Sequence, residues 1–206
     1  MTETTLPAVN PHGHGRASDW IERHLPGIVP GGVVLDIACG GGRHLRRALA
    51  FDHAVVGLDR DVSGLADLCH DPRVEIVAHD IEAEGGLDLP LGGRRFAGVI
   101  VTNYLFRPLL PRLADLVAAD GMLLYETFAR GQERFGKPSN PAFMLAPNEL
   151  LASSVIDGLV VVGFEQGEVP AELTVTHHPK IVQRLAAVGP AHPWAHARPR
   201  AIGAAG

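Results

Sequence analysis

The chain has 206 residues, 46% hydrophobic and 20% charged, with a formal net charge of −5. That length suits one domain with a sizeable core, and that composition excludes a disordered chain. The acidic balance argues against a protein that lives on nucleic acid, two cysteines exclude a disulfide framework, and no run approaches the ~18 apolar residues of a membrane span.

In chain order, residues 1–15 are rich in Pro, Gly and His and are expected to form a flexible arm without the pattern of a signal peptide, which leaves a reducing cytoplasm as the expected setting. Ser18 is placed to cap a short helix over 19–25, and Pro30-Gly31-Gly32 turns the chain into a first apolar strand ending near Ile37. Helices over 44–51 and 62–70 alternate with strands over 54–58 and 74–78, and Asp71-Pro72 stops the second helix. A polar loop over 82–95 leads to a buried strand over 96–102, a helix over 109–119, a turn at Asp120-Gly121 and a strand over 122–128. Strands alternating with helices at this spacing predict βαβ units and a parallel sheet covered on both faces.

Beyond Phe128 the pattern changes to a turn-rich loop over 130–147 and a helical restart at 147–151. Two β-rich segments, 159–165 and 174–186, predict an antiparallel hairpin at one sheet edge. The expected architecture is therefore a single α/β domain, Rossmann-like and doubly wound, with a seven-stranded, mostly parallel sheet. It spans residues 16–188, with a disordered tail over 189–206.

Ligands of open α/β sheets bind beyond the carboxyl ends of the strands. Asp36, the turn Gly40-Gly41-Gly42, Asp59 and Asp80 all fall at such ends. Glycine there lets the backbone turn with positive φ and approach a ligand closely. Asp59, closing the second strand, is placed to accept hydrogen bonds from a ribose diol, which points to a nucleoside-containing cofactor. A dinucleotide fingerprint needs a third glycine where this chain has Leu45, and a P-loop needs Gly-Lys-Ser/Thr after the turn.

The run Asp36-Ile37-Ala38-Cys39-Gly40-Gly41-Gly42-Arg43, followed by Asp59 and by Asp80-Ile81, resembles motifs I, II and III of class I S-adenosylmethionine-dependent methyltransferases. Asp120-Gly121-Met122-Leu123-Leu124-Tyr125-Glu126 resembles the Gly-led fifth strand of that family. Cys-Gly-x-Gly-Arg in the turn, with Phe143-Met144-Leu145 and Glu149-Leu150-Leu151, is nearest the small tellurite-resistance type. Ala38 departs from the glycine of many members. The resemblance implies S-adenosyl-L-methionine as cofactor, with its methionine moiety near Asp36, Ala38 and Gly40 and its ribose on Asp59. It also implies adenine at Asp80 and Ile81 with Arg60 over its face, Asn103 lining the transfer site, and Arg16 as a partner for the cofactor carboxylate.

Methyl transfer from a sulfonium needs mainly positioning and desolvation, so catalytic residues are not legible from sequence. Asn103-Tyr104-Leu105-Phe106 lacks both prolines of the amino-methylating Asn/Asp-Pro-Pro-Tyr/Phe motif, which makes Tyr104 and Phe106 pocket or packing residues. Arg130, Glu133, Arg134, Phe135 and Lys137 read either as a solvated loop or as a lid, and Glu126 either as a substrate contact or as a hydrogen-bonded structural group. His44 suits packing or capping, with a base role open. The eleven histidines form no spaced set, so no metal is expected. The expected partner is a small-molecule methyl acceptor, with no membrane and no nucleic acid. Thiol, selenol or tellurite-like acceptors follow from the resemblance alone. An RNA or protein methyltransferase, a non-catalytic S-adenosylmethionine-binding sensor or assembly protein, and a nicotinamide oxidoreductase are the competing readings.

Overall fold

The computed structural model describes residues 15–174 and 177–196. The arm expected over 1–15 lies outside the described residues except for Gly15. The strands are β1 Val33–Ile37, β2 Ala54–Asp59, β3 Val74–Ala78, β4 Phe96–Thr102, β5 Val117–Phe128, β6 Val160–Val169 and β7 Lys180–Val188. They form one seven-stranded sheet in the order β3-β2-β1-β4-β5-β7-β6. The first five run parallel, and β7 inserts antiparallel between β5 and β6. The expected seven-stranded sheet with an antiparallel C-terminal hairpin is therefore observed, and strand order reverses between β1 and β4.

Side chains alternate between the two faces of the sheet, and each face has its own apolar layer. Val34, Ile100, Met122, Leu124 and Ala186 lie under the helices α1 Asp19–His24 and α2 Arg43–Ala50, with Trp20, Ile21, Leu45 and Leu49. Leu35, Ile37, Val99, Val101, Leu123, Tyr125 and Leu185 face the opposite layer, built by the 3-10 segment Arg107–Arg112 and the single turns α3 Leu113–Leu116 and α4 Ser153–Ile156. The Ser18 hydroxyl caps α1 as expected, accepting the Ile21 N–H at 3.2 Å.

The helical layers are thinner than the sequence suggests. The helix expected over 62–70 is a 3-10 segment, Ser63–Leu68. Asp61 accepts the Ser63 N–H at 3.0 Å, and a Cβ on Gly64 would lie 3.0 Å from Gly41 Cα, so this segment is drawn tightly against the glycine turn. The helix expected over 109–119 is divided into shorter pieces, with Pro111 inside the first of them. It becomes Arg107–Arg112 and α3, and Val117 already pairs with Phe96 in β5. The turn expected at Asp120-Gly121 thus lies inside a strand. The restart at 147–151 is the 3-10 turn Glu149–Leu151 followed by α4.

The tail expected to be disordered from Gly189 is ordered as far as His196. Gly189 N–H and Ala191 N–H bond to the carbonyls of Gly121 and Ala119 at 2.9 and 2.8 Å, at the amino end of β5. The His192 ring is buried and bonds to Gly27 O at 2.9 Å, and Trp194 packs edge-on beside it. Composition suggested disorder because Pro, Gly and His carry no periodic pattern; three-dimensional contacts supply the order. Residues 197–206 lie outside the described residues. Among the described residues no helix is long and apolar enough to cross a membrane.

Candidate functional site

The site lies at the carboxyl edge of the parallel strands, where order reverses. On the face covered by α1 and α2, the apolar rows end in polar residues: Asp36 on β1, Thr102 on β4, Glu126 on β5 and Arg184 on β7. Thr102, Glu126, Arg184 and Glu165 are register partners across four neighbouring strands, so one polar row crosses the sheet. Glu126 is fully buried, salt-bridged to Lys180 and, at 2.8 Å, to Arg184 Nε. Arg184 Nη1 also reaches Glu165 at 3.1 Å, and Glu165 binds Arg23 at 2.5 Å. Between the two roles open to it, Glu126 takes the structural one.

Asp36 is fully buried, and neither of its carboxylate oxygens has a hydrogen-bond partner among the described residues. Burial pushes its pKa up to about 8, with Asp59 adding to the rise and Arg43 opposing it. Its nearest basic group is His44, at 3.9 Å. The His44 Nε2 accepts the Ser18 N–H at 3.4 Å, so the ring proton sits on Nδ1, toward Thr102 Oγ1 at 3.3 Å. Burial, with Arg43 and Lys180 nearby, holds the His44 pKa down to about 3. Buried, with its free nitrogen turned to a backbone N–H and its pKa held down, His44 is placed for packing rather than for proton transfer.

The glycine turn joins β1 to α2. Ala38 and Gly40 have φ of 54° and Gly42 of 77°. Gly40 N–H donates to Asp59 Oδ2 at 2.8 Å, and the other Asp59 oxygen accepts Asp61 N–H at 2.9 Å. A Cβ on Gly40 would meet open space, whereas one on Gly42 would lie 2.5 Å from Leu65 Cδ2. The first glycine leaves room above the turn; the third lets α2 pack on the segment after β2.

Two cavities open over this edge and share Ala38 and Asn103. One, of about 480 Å³, is lined by Asp59, Arg60, Asp80, Ile81, Glu82 and Tyr104 together with the shared residues. The other, of about 610 Å³, runs over Gly40, Arg43, His44 and Thr102 toward Phe128, Lys137, Lys180 and Arg184. Asn103 sits in the left-handed region with φ of 53°, its N–H bonded to Glu126 O at 2.9 Å, which tips its side chain out of β4. Tyr125 OH donates to Tyr104 O at 2.9 Å, steadying the loop that walls the smaller cavity. Burial and the neighbouring Glu82 and Asp80 push the Tyr104 hydroxyl pKa up.

The structure thus gathers Ala38, Gly40, Asp59, Arg60, Asp80, Ile81 and Asn103 around one pair of cavities, with Asp36 beneath the turn. Arg16 is the exception: its side chain is 72% exposed, pairs with Asp19 at 3.1 Å and lines neither cavity. Arg43, the first residue of α2, does line the larger one, and its side chain makes no hydrogen bond among the described residues; burial pulls its pKa down against Glu126 and Asp36. Lys180 and Arg184 were not singled out in the sequence. The available signal was Glu126 itself, a carboxylate within an apolar strand that requires a cation on the strand beside it. Among the described residues no three His, Cys, Asp or Glu side chains gather where they could hold a metal ion.

No protein-family model matches the chain, and no curated protein does. Solved structures do. TehB from Haemophilus influenzae superposes with a TM-score of 0.60 over 83% of this chain at 17% identity, and the chain spans 61% of TehB. The 1,6-didemethyltoxoflavin-N1-methyltransferase of Burkholderia thailandensis, solved with 1,6-didemethyltoxoflavin and S-adenosylhomocysteine, gives 0.55 at 18% identity over 84% of this chain and 79% of its own. The glycopeptide N-methyltransferase MtfA, complexed with sinefungin, gives 0.56 at 18% identity over 90% and 98%. The fold is that of the class I S-adenosylmethionine-dependent methyltransferases.

Proposed function

We propose that the chain is an S-adenosylmethionine-dependent methyltransferase acting on a small-molecule acceptor. The observation that carries this reading is the pair of cavities meeting at Ala38 and Asn103, over a buried carboxylate without a partner and beside a second one that ends β2. A nucleoside fills a cleft bounded by Asp59, Asp80, Ile81 and Tyr104, and the remainder of the cofactor continues over the glycine turn.

Within this reading Asp59 accepts the ribose hydroxyls. Each of its oxygens already takes one backbone N–H and keeps a lone pair for the ligand. Asp80 and Ile81 receive the adenine, with Arg60 over its face. Ala38 and Gly40 give backbone room to the methionine moiety, and Asp36 offers its unpartnered carboxylate to the cationic end. Arg43, rather than Arg16, meets the cofactor carboxylate, because it faces the cavity and its side chain has no hydrogen-bond partner there among the described residues. The bound cofactor supplies a methyl group on a positively charged sulfur; the chain's own residues position it and exclude water. The chamber beyond Asn103 holds the acceptor.

Calorimetric titration with S-adenosylmethionine, S-adenosylhomocysteine and NADH tests the reading. Micromolar binding of the two S-adenosyl ligands and none of NADH is expected. Absence of both from the folded protein overturns it.

A further inference from the structure

The larger cavity has a composition that the cofactor alone does not explain. Four basic side chains line it: Arg43, Lys137, Lys180 and Arg184. The carboxylates available to them are few. Glu126 is shared by Lys180 and Arg184; Glu165 is taken by Arg23 as well as Arg184; the lining residue Asp19 is paired with Arg16. Among the described residues no carboxylate lies within salt-bridge distance of Lys137 or Arg43, and Arg43 feels Glu126 and Asp36 only from farther off. Basic groups crowded in a partly enclosed space raise the local potential and draw in an anion. An S-adenosylmethionine molecule brings one carboxylate but also an ammonium and a sulfonium, so it adds positive charge rather than removing it.

Beside these cations the lining also has apolar surface. Phe128, Phe135 and Pro179 line the same cavity, and Phe135 is 37% exposed at its rim. The chamber of about 610 Å³ takes in the glycine turn, where the methionine end of the cofactor would lie, and extends beyond it to Phe128, Phe135, Lys137 and Lys180, a mixed apolar and basic lining of the kind that holds small organic ligands. We propose that this chamber recognises a small organic carboxylate, its charged group held at Lys180 with Lys137 and its apolar body against Phe128 and Phe135, and that the acceptor belongs to this class. The identification as acceptor rests on the methyltransferase reading; the carboxylate site itself does not.

The test uses the full chain, with and without S-adenosylhomocysteine, and fluorine NMR titration of 4-fluorobenzoate, with 4-fluorobenzamide as the neutral match and sulfate as the inorganic anion. The benzoate is expected to bind at least about tenfold more tightly than the amide, the ratio one charge-assisted hydrogen bond provides. Lys180→Gln should lower its affinity about tenfold and Lys180→Arg should restore it. Should Lys180→Gln not fold, because Glu126 then keeps only Arg184, the exposed Lys137→Gln carries the test with an expected loss of about threefold. Equal binding of acid and amide, or affinity unchanged in the Lys variants, overturns the proposal. Sulfate binding as tightly as the benzoate overturns its organic part. Calorimetry with S-adenosylhomocysteine separates the two readings: a chain that binds the benzoate but no S-adenosyl ligand keeps the carboxylate site and loses the methyltransferase, and the reverse overturns this inference alone.

Discussion

Asp36 Oδ2 and His44 Nδ1 lie 3.9 Å apart in the buried layer beneath the glycine turn, and in the ligand-free chain burial disfavours the charged form of each. Burial drives the carboxyl up to about 8 and the imidazole down to about 3. The pair is therefore an acid and a base that do not exchange a proton, and its consequence is a pH-dependent stability. Between the ordinary value of 3.8 and about 8 the folded chain keeps a proton on Asp36 that the unfolded chain has released, so stability falls as pH rises. His44 acts in the opposite sense: between 6.5 and about 3 the unfolded chain takes a proton that the folded chain refuses, so stability falls as pH drops. The two slopes oppose each other in the acid range, and from pH 6.5 to about 8 Asp36 acts alone.

Asp36→Asn isolates this term. The ligand-free protein should lose stability through that alkaline window at roughly 1.4 kcal/mol per pH unit relative to the Asn variant. Urea unfolding of both proteins at several pH values measures the difference. Parallel curves would show that Asp36 is already ionised in the folded chain.

Asp59 links the glycine turn to the proposed ribose site, holding Gly40 N–H at 2.8 Å. Asp59→Ala removes both functions and should weaken S-adenosylhomocysteine binding by roughly 1.5–3 kcal/mol, the worth of a hydrogen bond to a charged group. Asp59→Asn keeps one acceptor and should fall between. Calorimetry on the two variants, with thermal melts to confirm folding, measures the series. Wild-type affinity in Asp59→Ala would remove Asp59 from the site.

How much of this was legible in the sequence follows from range. The strands over 74–78 and 96–102 coincide with the observed β3 and β4, because apolar runs bounded by turn residues carry their own limits. Asp36, Gly40, Asp59 and Asp80 were visible for the same reason: each sits next to a strand end that the run defines. Helix lengths were not, since Val117 was recruited into β5 by pairing with Phe96, a contact that no local pattern displays. The basic wall of the larger cavity was also hidden. Lys180 and Arg184 come from the opposite end of the chain and reach Glu126 only through the β5–β7 register, which pairs Glu126 with Arg184. The direction in which the Arg16 side chain leaves the first helix was not legible either: it turns to Asp19 at 3.1 Å and lines neither cavity.

Gly42 bears a different load from Gly40. With φ of 77° it begins α2 in the left-handed region, and a Cβ there would press to 2.5 Å on Leu65 Cδ2. Left-handed backbone costs a non-glycine residue roughly 1–2 kcal/mol, and overpacking adds roughly 1–3 kcal/mol. Gly42→Ala should therefore destabilise the fold by about 2–5 kcal/mol in urea unfolding. A loss below about 1 kcal/mol would mean that Leu65 moves aside freely.

The C-terminal segment makes an equally direct prediction. His192 is 1% exposed, its Nε2 bonds to Gly27 O at 2.9 Å, and its Nδ1 accepts Trp194 N–H at 3.1 Å. Both ring nitrogens are thus engaged, one as donor and one as acceptor, by backbone groups of two separate segments. His192→Ala leaves Gly27 O and Trp194 N–H without these partners and empties the space beneath the indole. The expected cost is about 2–3 kcal/mol, from the unmade hydrogen bonds and the lost packing. Because the segment covers the amino edge of the sheet, away from both cavities, binding of S-adenosylhomocysteine below the melting temperature should be unchanged. Lower stability with intact binding identifies the segment as a structural clasp; an unaltered urea midpoint would show that residues 189–196 contribute nothing to holding the fold.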